Sequence, residues 1–407
     1  MNSAAGGRTP EGGFRFAYDT PAIRFGRGHV AELAEELDRL DIERALVVCG
    51  RTVGSNEAVM ERVETGLGDR LAGVFDRTTP QKRLATAIEG ADALRDAGAD
   101  GLIGVGGGSS LDLTKAVSVV AAADRSPAAL GAEFEETGTL QIPDRPLPPM
   151  VAVPTTLAGA DLSTVAGLNA SPESGLVDSP VSGGLSDRRL MPRGVLYDPD
   201  LFASTPRGVL AASAMNGFDK GIETLYAKNA TPITDATAVR GLERLADSLP
   251  ELGSDPVTAE DLEPVLEGIV LVQFGISRPG ESTLSIVHAF GHGLTDGYEV
   301  QQGAAHAVIA PHALRYLFDR VDGRRDLLAA ALGGGEATDP AAAVVDRVSA
   351  IRDALGLPTR LRDVEGPDPD AFRDVARATL EDAFMDNAPP GLDPTVEDLV
   401  GVLEDAY

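Results

Sequence analysis

The sequence is poor in several residue types, and each shortage narrows what the protein can be. It contains one cysteine, Cys49, and no tryptophan. A lone cysteine cannot form an internal disulfide and suits a reducing compartment, so we expect a cytoplasmic protein. The sequence has no run of about 18 apolar residues, which argues against a membrane-spanning helix. Residues 1–13 lack the basic and apolar segments of a secretory signal, and they are predicted to have no regular structure.

Positive charge is also scarce. The chain has 35 basic and 63 acidic side chains, a net charge of −28, and its only lysines are Lys82, Lys115, Lys220 and Lys228. A chain this acidic is a poor binder of nucleic acid, so we expect neither a nucleic-acid nor a membrane partner. The acidic residues are spread along the whole sequence. They could recruit basic partners, but an adaptation to high salt (a halophilic surface) explains the spread better.

Apolar residues make up 43% of the chain, enough for a packed core. In the first half, short apolar runs alternate with helical patterns. The runs at 45–49, 101–105 and 149–153 predict buried strands, and 56–66 and 82–97 predict helices. Apolar strands that alternate with helices are typical of a parallel sheet covered on both faces.

The pattern changes near residue 205. Alanine-rich amphipathic segments follow, and they predict helices at 207–228, 233–249, 258–276, 281–293, 304–319, 339–355 and 369–386. Residues 321–340 are predicted to contain a surface loop. We therefore predict two domains, an α/β nucleotide-binding domain with a parallel sheet at 14–205 and an all-α helical domain at 206–407, which would carry the substrate site.

A glycine cluster follows the second predicted strand, in GVGGGSSLDLTK at 104–115. Gly106, Gly107 and Gly108 would let the backbone approach a ligand closely. Ser109 and Ser110 fall where a helix begins, so free backbone N–H groups and the positive end of the helix dipole would meet there. This pattern predicts a diphosphate cradle, although it is neither the GxGxxG fingerprint nor a Walker loop. The alternative is an ordinary strand–turn–helix junction.

The string GGGSSLDLTK resembles the GGGSxxDxxK segment of the iron-containing (group III) alcohol dehydrogenase family, in the dehydroquinate synthase-like superfamily. Further segments resemble that family in the same order: PAIRFGRG at 21–28, PTT at 154–156, DPDLFASTP at 198–206, GFDKGIETLY at 217–226 and VHAFGHGLTDGYEVQQG at 287–303. The resemblance implies an oxidoreductase that uses NAD or NADP. It also implies a small alcohol, aldehyde or ketone as substrate, and a homodimer.

The same resemblance implies the cofactor residues. Gly106–Gly108 and Ser109 would bind the diphosphate, and Thr155 and Thr156 would lie near the adenine or ribose. Gly50 and Arg51 stand at the end of the first predicted strand. Sites that prefer NAD place an acid at this point, whereas sites that prefer NADP have an arginine that accommodates the 2′-phosphate. These two residues favour NADP slightly, unless Arg51 is simply solvated.

The family holds iron or zinc with one aspartate and three histidines. The corresponding positions here are Asn216, Lys220, His288 and Gln302, so three of the four ligands have changed. Tight binding of zinc or iron needs deprotonated nitrogen, sulfur or carboxylate ligands. We therefore expect no catalytic divalent metal at these positions. If a metal is retained, His288 would bind it together with His306.

Lys220 could replace the metal, because its ammonium can polarise a carbonyl oxygen. His292 would then donate or relay the proton, and His288 would orient the substrate. The simpler alternatives are that His288 and His292 are buried core histidines and that Lys220 is a solvated surface residue. The sequence thus predicts an NAD(P)-dependent alcohol dehydrogenase or carbonyl reductase, with Lys220, His292 and His288 as catalytic residues. Members similar to maleylacetate reductase reduce carbonyls without a metal. A non-catalytic nucleotide-binding protein and a lyase or cyclase of the dehydroquinate synthase type remain alternatives.

Overall fold

The structure, a computed structural model, describes residues 13–278 and 280–407. The first twelve residues, predicted to lack regular structure, lie outside the described residues. The chain forms two compact units. One is Asp19–Thr205, and the other is Pro206–Tyr407 together with residues 13–18. This division differs from the predicted domains at 14–18, since the Tyr18 ring lies 4.8 Å from the ring of Phe274 in the helical unit.

The first unit is built on a parallel sheet, as the sequence predicts. Its strands are β1 (Ala22–Phe25), β2 (Ala45–Gly50), β3 (Leu71–Thr78), β4 (Gly101–Gly106), β5 (Met150–Pro154) and β8 (Gly194–Tyr197). Among the described residues they lie in the order β1-β8-β5-β4-β2-β3. A separate antiparallel pair consists of β6 (Val165–Ala170) and β7 (Val181–Ser186). The α/β fold class is therefore confirmed for this unit.

The helices of this unit are α1 (Leu33–Arg39), α2 (Arg51–Gly54), α3 (Glu57–Leu67), α4 (Leu84–Asp96), α5 (Gly108–Ala123), α6 (Pro127–Thr137) and α7 (Pro199–Phe202). The predicted helix at 82–97 begins two residues late, because Lys82 has a φ of +49° and Arg83 is extended. The edge strand β3 was not predicted. Most of its residues are only partly buried, so the apolar run that identifies the central strands is weaker there. The short buried strand β8 was missed as well.

Buried aliphatic side chains hold the central strands and helices together. Val47, Ile103, Val151 and Val153 are inaccessible to solvent, and side chains of α1 and α3 pack in the same core. Such apolar burial is the main stabilising contribution to a sheet covered by helices. Because the central strands are parallel, β2, β4 and β5 all end at the same edge of the sheet. Gly50, the glycine cluster and the PTT segment follow those three ends.

The second unit is helical, as predicted. Its helices are α8 (Arg207–Tyr226), α9 (Pro232–Ser248), α10 (Ala259–Gln273), α11 (Ile286–Thr295), α12 (Gln302–Arg320), α13 (Arg325–Ala331), α14 (Pro340–Ala354), α15 (Phe372–Glu381) and α16 (Val396–Ala406). In the described part of the chain, no helix is long and apolar enough to cross a membrane.

The segment 321–340 contains the predicted surface loop, at 332–339, after the short helix α13. Two predicted helices of this unit differ from the structure. The helix predicted at 281–293 begins only at Ile286. The helix predicted at 369–386 is broken at Asp382. Asp382 is extended, with φ −68° and ψ 136°, and it caps a following 3-10 helix, Ala383–Asn387. An aspartate side chain that bonds its own backbone competes with helix formation in this way.

Candidate functional site

The glycine cluster forms a tight junction between strand and helix in the first unit. Gly106 ends β4 with a φ of +129°, and Gly107 is the N-cap of α5. The amides of Ser110 and Leu111 both donate to the Gly107 carbonyl, at 3.0 and 3.2 Å. The amides of Gly108 and Ser109 therefore precede the first hydrogen-bonded turn, at the positive end of the helix dipole. This arrangement suits an anion such as a diphosphate.

Close packing explains why glycine is needed here. A Cβ on Gly107 would lie 3.0 Å from Cγ2 of Thr156, and one on Gly106 would lie 3.1 Å from Oγ of Ser110. The Ser110 hydroxyl is itself 2.7 Å from the hydroxyl of Thr78, which ties the start of α5 to β3. The cradle is thus rigid and open only where glycine leaves room, so the residues present fit a dinucleotide diphosphate.

The two threonines after β5 have different environments. Thr155 is buried, its amide donates to the Gly106 carbonyl at 3.0 Å, and its own carbonyl accepts from the Thr205 hydroxyl at 2.9 Å. Thr156 is partly exposed and borders Gly107. Thr156 is therefore available to a ligand, whereas Thr155 holds the backbone of the cradle in place.

Gly50 and Arg51 lie at the end of the neighbouring strand. Gly50 packs against Thr78, where a Cβ would come within 3.3 Å of the carbonyl oxygen. Arg51 is exposed and begins α2. The structure therefore brings Gly50 next to the Ser110–Thr78 pair and leaves the guanidinium of Arg51 in solvent.

Lys115, which closes the sequence motif, has a structural role. It is 1% exposed, and its ammonium donates to the carbonyls of Ala160, Ser163 and Val165 at 2.7–2.9 Å. Asp112 accepts from Lys82 at 2.8 Å and from the amide of Gly167 at 3.2 Å. Both charged residues therefore fasten α5 to the segment that follows the PTT loop. That segment also contains the buried Asp161, to which the Tyr197 hydroxyl donates.

The second group of candidate residues lies on three helices of the helical unit. Asn216 and Lys220 are one turn apart on α8, His288 and His292 on α11, and Gln302 and His306 on α12. Glycines allow these helices to approach closely. A Cβ on Gly303 would lie 1.9 Å from the Ala212 carbonyl oxygen, and one on Gly291 would lie 2.1 Å from Nε2 of His306. The helix packing thus brings α12 against both α8 and α11.

Glu223 fixes the position of His288. One carboxylate oxygen, Oε2, lies 2.5 Å from Nδ1 of the imidazole, and the other accepts from the amides of Val287 and His288 at 2.8 and 3.1 Å. Burial raises the pKa of Glu223 to about 7, although the amide of His288 opposes that shift. Burial, and then the charge of Lys220, lower the pKa of His288 well below its ordinary value. His288 is therefore anchored to α8 in surroundings that favour its neutral form.

Asp219 and His306 form a second buried pair. His306 Nδ1 lies 3.3 Å from Oδ2 of Asp219, and the His306 ring packs edge to face on His288 with 4.4 Å between centroids. Burial, and then the charge of Glu223, raise the pKa of Asp219 well above its ordinary value. Burial lowers the pKa of His306 well below its ordinary value. His288 and His306, the two histidines suggested for a retained metal, thus lie together, and each is beside a carboxyl group of α8.

Lys220 is partly exposed, and its ammonium lies 3.4 Å from Oε1 of Gln273. Asn216, one turn earlier, is 5% exposed, and Gln302 is half-buried at the first position of α12. Lys220 lies three residues, about one turn, before Glu223 on α8. Glu223 contacts His288, so Lys220 and His288 lie on two helices that are joined at that contact.

This set of side chains does not fit a divalent metal. A protonated lysine repels a cation, the amides of Asn216 and Gln302 are weak donors, and Nδ1 of His288 is already engaged. In residues 13–278 and 280–407, no three His, Cys, Asp or Glu side chains are arranged to hold a metal ion.

His292 differs from the other histidines of the cluster because 49% of its side chain is exposed. Its Nδ1 lies 2.8 Å from Oδ2 of Asp382. The ring of Phe384 lies 5.1 Å from the His292 ring and 6.2 Å from the His288 ring. The turn after α15 thus contacts the same face of α11 that carries both histidines.

Sequence reasoning missed Glu223, Gln273, Asp382 and Phe384. A signal existed for Glu223, because it is an acid one turn after Asp219 in a helix that is mostly apolar. For Asp382 there was none, since its partner is 90 residues away in the chain.

Comparison with known proteins agrees with this architecture. The iron-containing alcohol dehydrogenase model matches residues 20–199, and the model of the C-terminal domain of the same family matches residues 210–407. The chain therefore belongs to the iron-containing alcohol dehydrogenase family and is an alcohol dehydrogenase-like oxidoreductase.

Two proteins similar in sequence to this chain are reductases by name. Maleylacetate reductase of Pseudomonas aeruginosa is 29% identical over 96% of each chain. Lactaldehyde reductase of Escherichia coli K12 is 27% identical over 94% of this chain and 97% of its own. The crystal structure of maleylacetate reductase from Rhizobium sp. strain MTP-10005 superposes with a TM-score of 0.76 at 25% identity, covering 97% of this chain and 98% of its own.

Proposed function

We propose that the protein is a metal-independent, NAD(P)-dependent carbonyl reductase that acts on a small aldehyde or ketone, with Lys220 in place of the metal. The observation that carries the proposal is the place of Lys220 on α8, one turn before the Glu223 that holds His288, at positions where the resemblance to the family implies metal ligands. Relatives named for the reduction of maleylacetate and lactaldehyde support carbonyl reduction as the reaction class.

Gly106–Gly108 and Ser109 would hold the diphosphate of the dinucleotide, with Thr156 beside them. NAD(P)H, when bound, supplies a hydride. The exposed guanidinium of Arg51 beyond Gly50 supports a preference for NADPH, because it can pair with a 2′-phosphate and no acid occupies that position.

The helical unit would supply the polar catalysis. The ammonium of Lys220 would stabilise negative charge that develops on the carbonyl oxygen, which is the contribution that a metal ion makes as a Lewis acid. His292 would donate the proton, since it is the exposed histidine of the pair on α11. His288, buried and neutral, would orient the site.

The first test is a Lys220→Ala variant compared with Lys228→Ala, a lysine outside the proposed site. Loss of the ammonium removes an electrostatic contribution to the transition state, so kcat should fall by about 100-fold or more, while Lys228→Ala keeps wild-type kcat. Oxidation of NADPH and of NADH would be followed by absorbance with a panel of aldehydes, ketones and keto acids. NADPH should show the lower KM.

Metal analysis of the purified wild-type protein completes this test. The proposal expects no stoichiometric metal and no loss of turnover after chelation. A stoichiometric iron or zinc ion, or full activity of Lys220→Ala, would contradict it. Tight NADPH binding without turnover of any carbonyl would instead favour the non-catalytic alternative.

A further inference from the structure

The geometry points to Asp382 as a positioning residue that sets the hydrogen-bonding state of His292, and we infer that the two act as one proton-donating unit. This inference rests on the proposed function for its catalytic part. Its structural part concerns which nitrogen of His292 carries hydrogen, and that can be measured without any substrate.

Asp382 makes two different contacts with its two carboxylate oxygens. Oδ2 lies 2.8 Å from Nδ1 of His292, and Oδ1 accepts from the amide of Phe384 at 2.8 Å. The side chain of Asp382 is 17% exposed, and that of His292 is 49% exposed. The inner edge of the imidazole is thus held by a mostly buried carboxylate, and its other face remains accessible.

This contact selects a tautomer. An ionised carboxylate can only accept hydrogen bonds, so Nδ1 of His292 must carry hydrogen. Neutral His292 then presents a lone pair at Nε2, and protonated His292 presents an N–H there. In both states the hydrogen bond to Asp382 persists, so Nε2 can gain and lose a proton without any rearrangement of the ring.

The capping contact adds orientation. Oδ1 of Asp382 caps the 3-10 helix Ala383–Asn387 by accepting from the Phe384 amide. Asp382 therefore also places the Phe384 ring against the two imidazoles. One side chain therefore fixes the tautomer of His292 and the aromatic wall beside it. Glu223 has a similar double contact with His288, but that imidazole is 3% exposed and has no route for proton exchange with solvent comparable to that of His292.

The resulting step is balanced. NAD(P)H, when bound, would supply the hydride that reduces the carbonyl carbon and would itself be oxidised, and the carbonyl oxygen would take the proton from Nε2 of protonated His292. The N–H bond breaks as the O–H bond of the alcohol forms. His292 is left neutral with hydrogen on Nδ1, and water at its exposed edge supplies the next proton.

The test is Asp382→Asn, with Asp386→Asn as the matched control, since Asp386 is an exposed acid of the same 3-10 helix. Asparagine is as good an N-cap as aspartate, so the contact with the Phe384 amide should survive. Its amide nitrogen, however, would donate to Nδ1 of His292, and hydrogen would move to Nε2 of the neutral ring. The expected results are a fall in kcat of about 100-fold or more with little change in KM, and unchanged kinetics for Asp386→Asn.

The decisive readout is the ¹⁵N NMR spectrum of His292, assigned with His292→Gln. Wild type and Asp386→Asn should show the Nδ1–H tautomer, and Asp382→Asn should show Nε2–H. If the tautomer does not change, or if Asp382→Asn keeps wild-type kcat, the inference is wrong. Wild-type protein without turnover would overturn the proposed function, and the NMR comparison would still decide the role of Asp382. Thermal unfolding of both variants confirms that they are folded.

Discussion

At the scale of single residues, the helical unit places a histidine beside an acidic side chain three times, in His288–Glu223, His306–Asp219 and His292–Asp382. The His306–Asp219 pair, at 3.3 Å, makes no hydrogen bond, unlike the other two pairs. The first two pairs are buried within α8, α11 and α12, and the third is exposed on one side. Burial therefore separates the roles, because only an accessible imidazole can exchange protons with water.

The buried Asp219 should make stability depend on pH. Its pKa is raised in the folded protein, whereas the unfolded chain releases this proton near the ordinary value of 3.8. Above that pH the folded state binds more protons than the unfolded state, so this contribution to stability is present at low pH and is lost as the pH rises through the folded pKa.

Asp219→Asn removes that loss. The free energy of unfolding of the variant should therefore increase relative to that of the wild type as the pH rises above about 4. The gain is about 1.4 kcal/mol for each unit by which the pKa is raised. Chemical denaturation across a pH series measures it. Asp346→Asn, at an exposed position of α14, is the control. If the wild type had the higher free energy of unfolding, by a margin over Asp219→Asn that grows with pH, this account would be contradicted.

At the scale of elements, the site depends on how closely α8, α11 and α12 can pack. Gly303 is the tightest point, since its Cβ position lies 1.9 Å from the Ala212 carbonyl oxygen. Any side chain there would push the start of α12, and Gln302 with it, away from α8.

Gly303→Ala should therefore lower the free energy of unfolding by about 1–3 kcal/mol, as expected for overpacking. Gly401→Ala is the matched control, because this glycine of α16 has no atom within 4 Å of its Cβ position. The control should gain about 0.5–1 kcal/mol from better helix propensity. Chemical denaturation checks both, and equal stability of the two variants would show that the α8–α12 contact is not tight.

Element prediction succeeded where the pattern is local. Strands β2, β4 and β5 and most helices were predicted within a few residues, because apolar runs and helical periodicity depend on residues that are close together in the sequence. The prediction of one continuous helix at 369–386 was wrong, because the side chain of Asp382 ends α15 by capping a separate 3-10 turn. The periodicity of apolar residues carries no information about that hydrogen bond.

At the scale of the whole molecule, the dominant property is the charge of −28. Like charges on the surface repel one another and destabilise the compact state at low ionic strength. The Debye length falls from about 10 Å at 0.1 M salt to about 3 Å at 1 M, so added salt screens that repulsion.

We therefore expect the thermal midpoint to rise between about 0.1 M and about 1 M KCl, measured by circular dichroism. Sucrose at matched osmolality is the control, because it stabilises by exclusion and leaves charge repulsion unscreened. Salt adaptation would be contradicted by a midpoint that falls with KCl, or by one that rises no more than in sucrose. The homodimer and the cytoplasmic location likewise stay predictions.

The parallel sheet, the glycine cradle after β4 and the helical second half could all be predicted from the sequence, because each depends on residues that are neighbours in the chain. The pairing of each histidine with its acidic partner depends on the folded structure, since Glu223 and His288 are 65 residues apart and His292 and Asp382 are 90 apart. Such pairings are set by helix packing and burial, which no local pattern records.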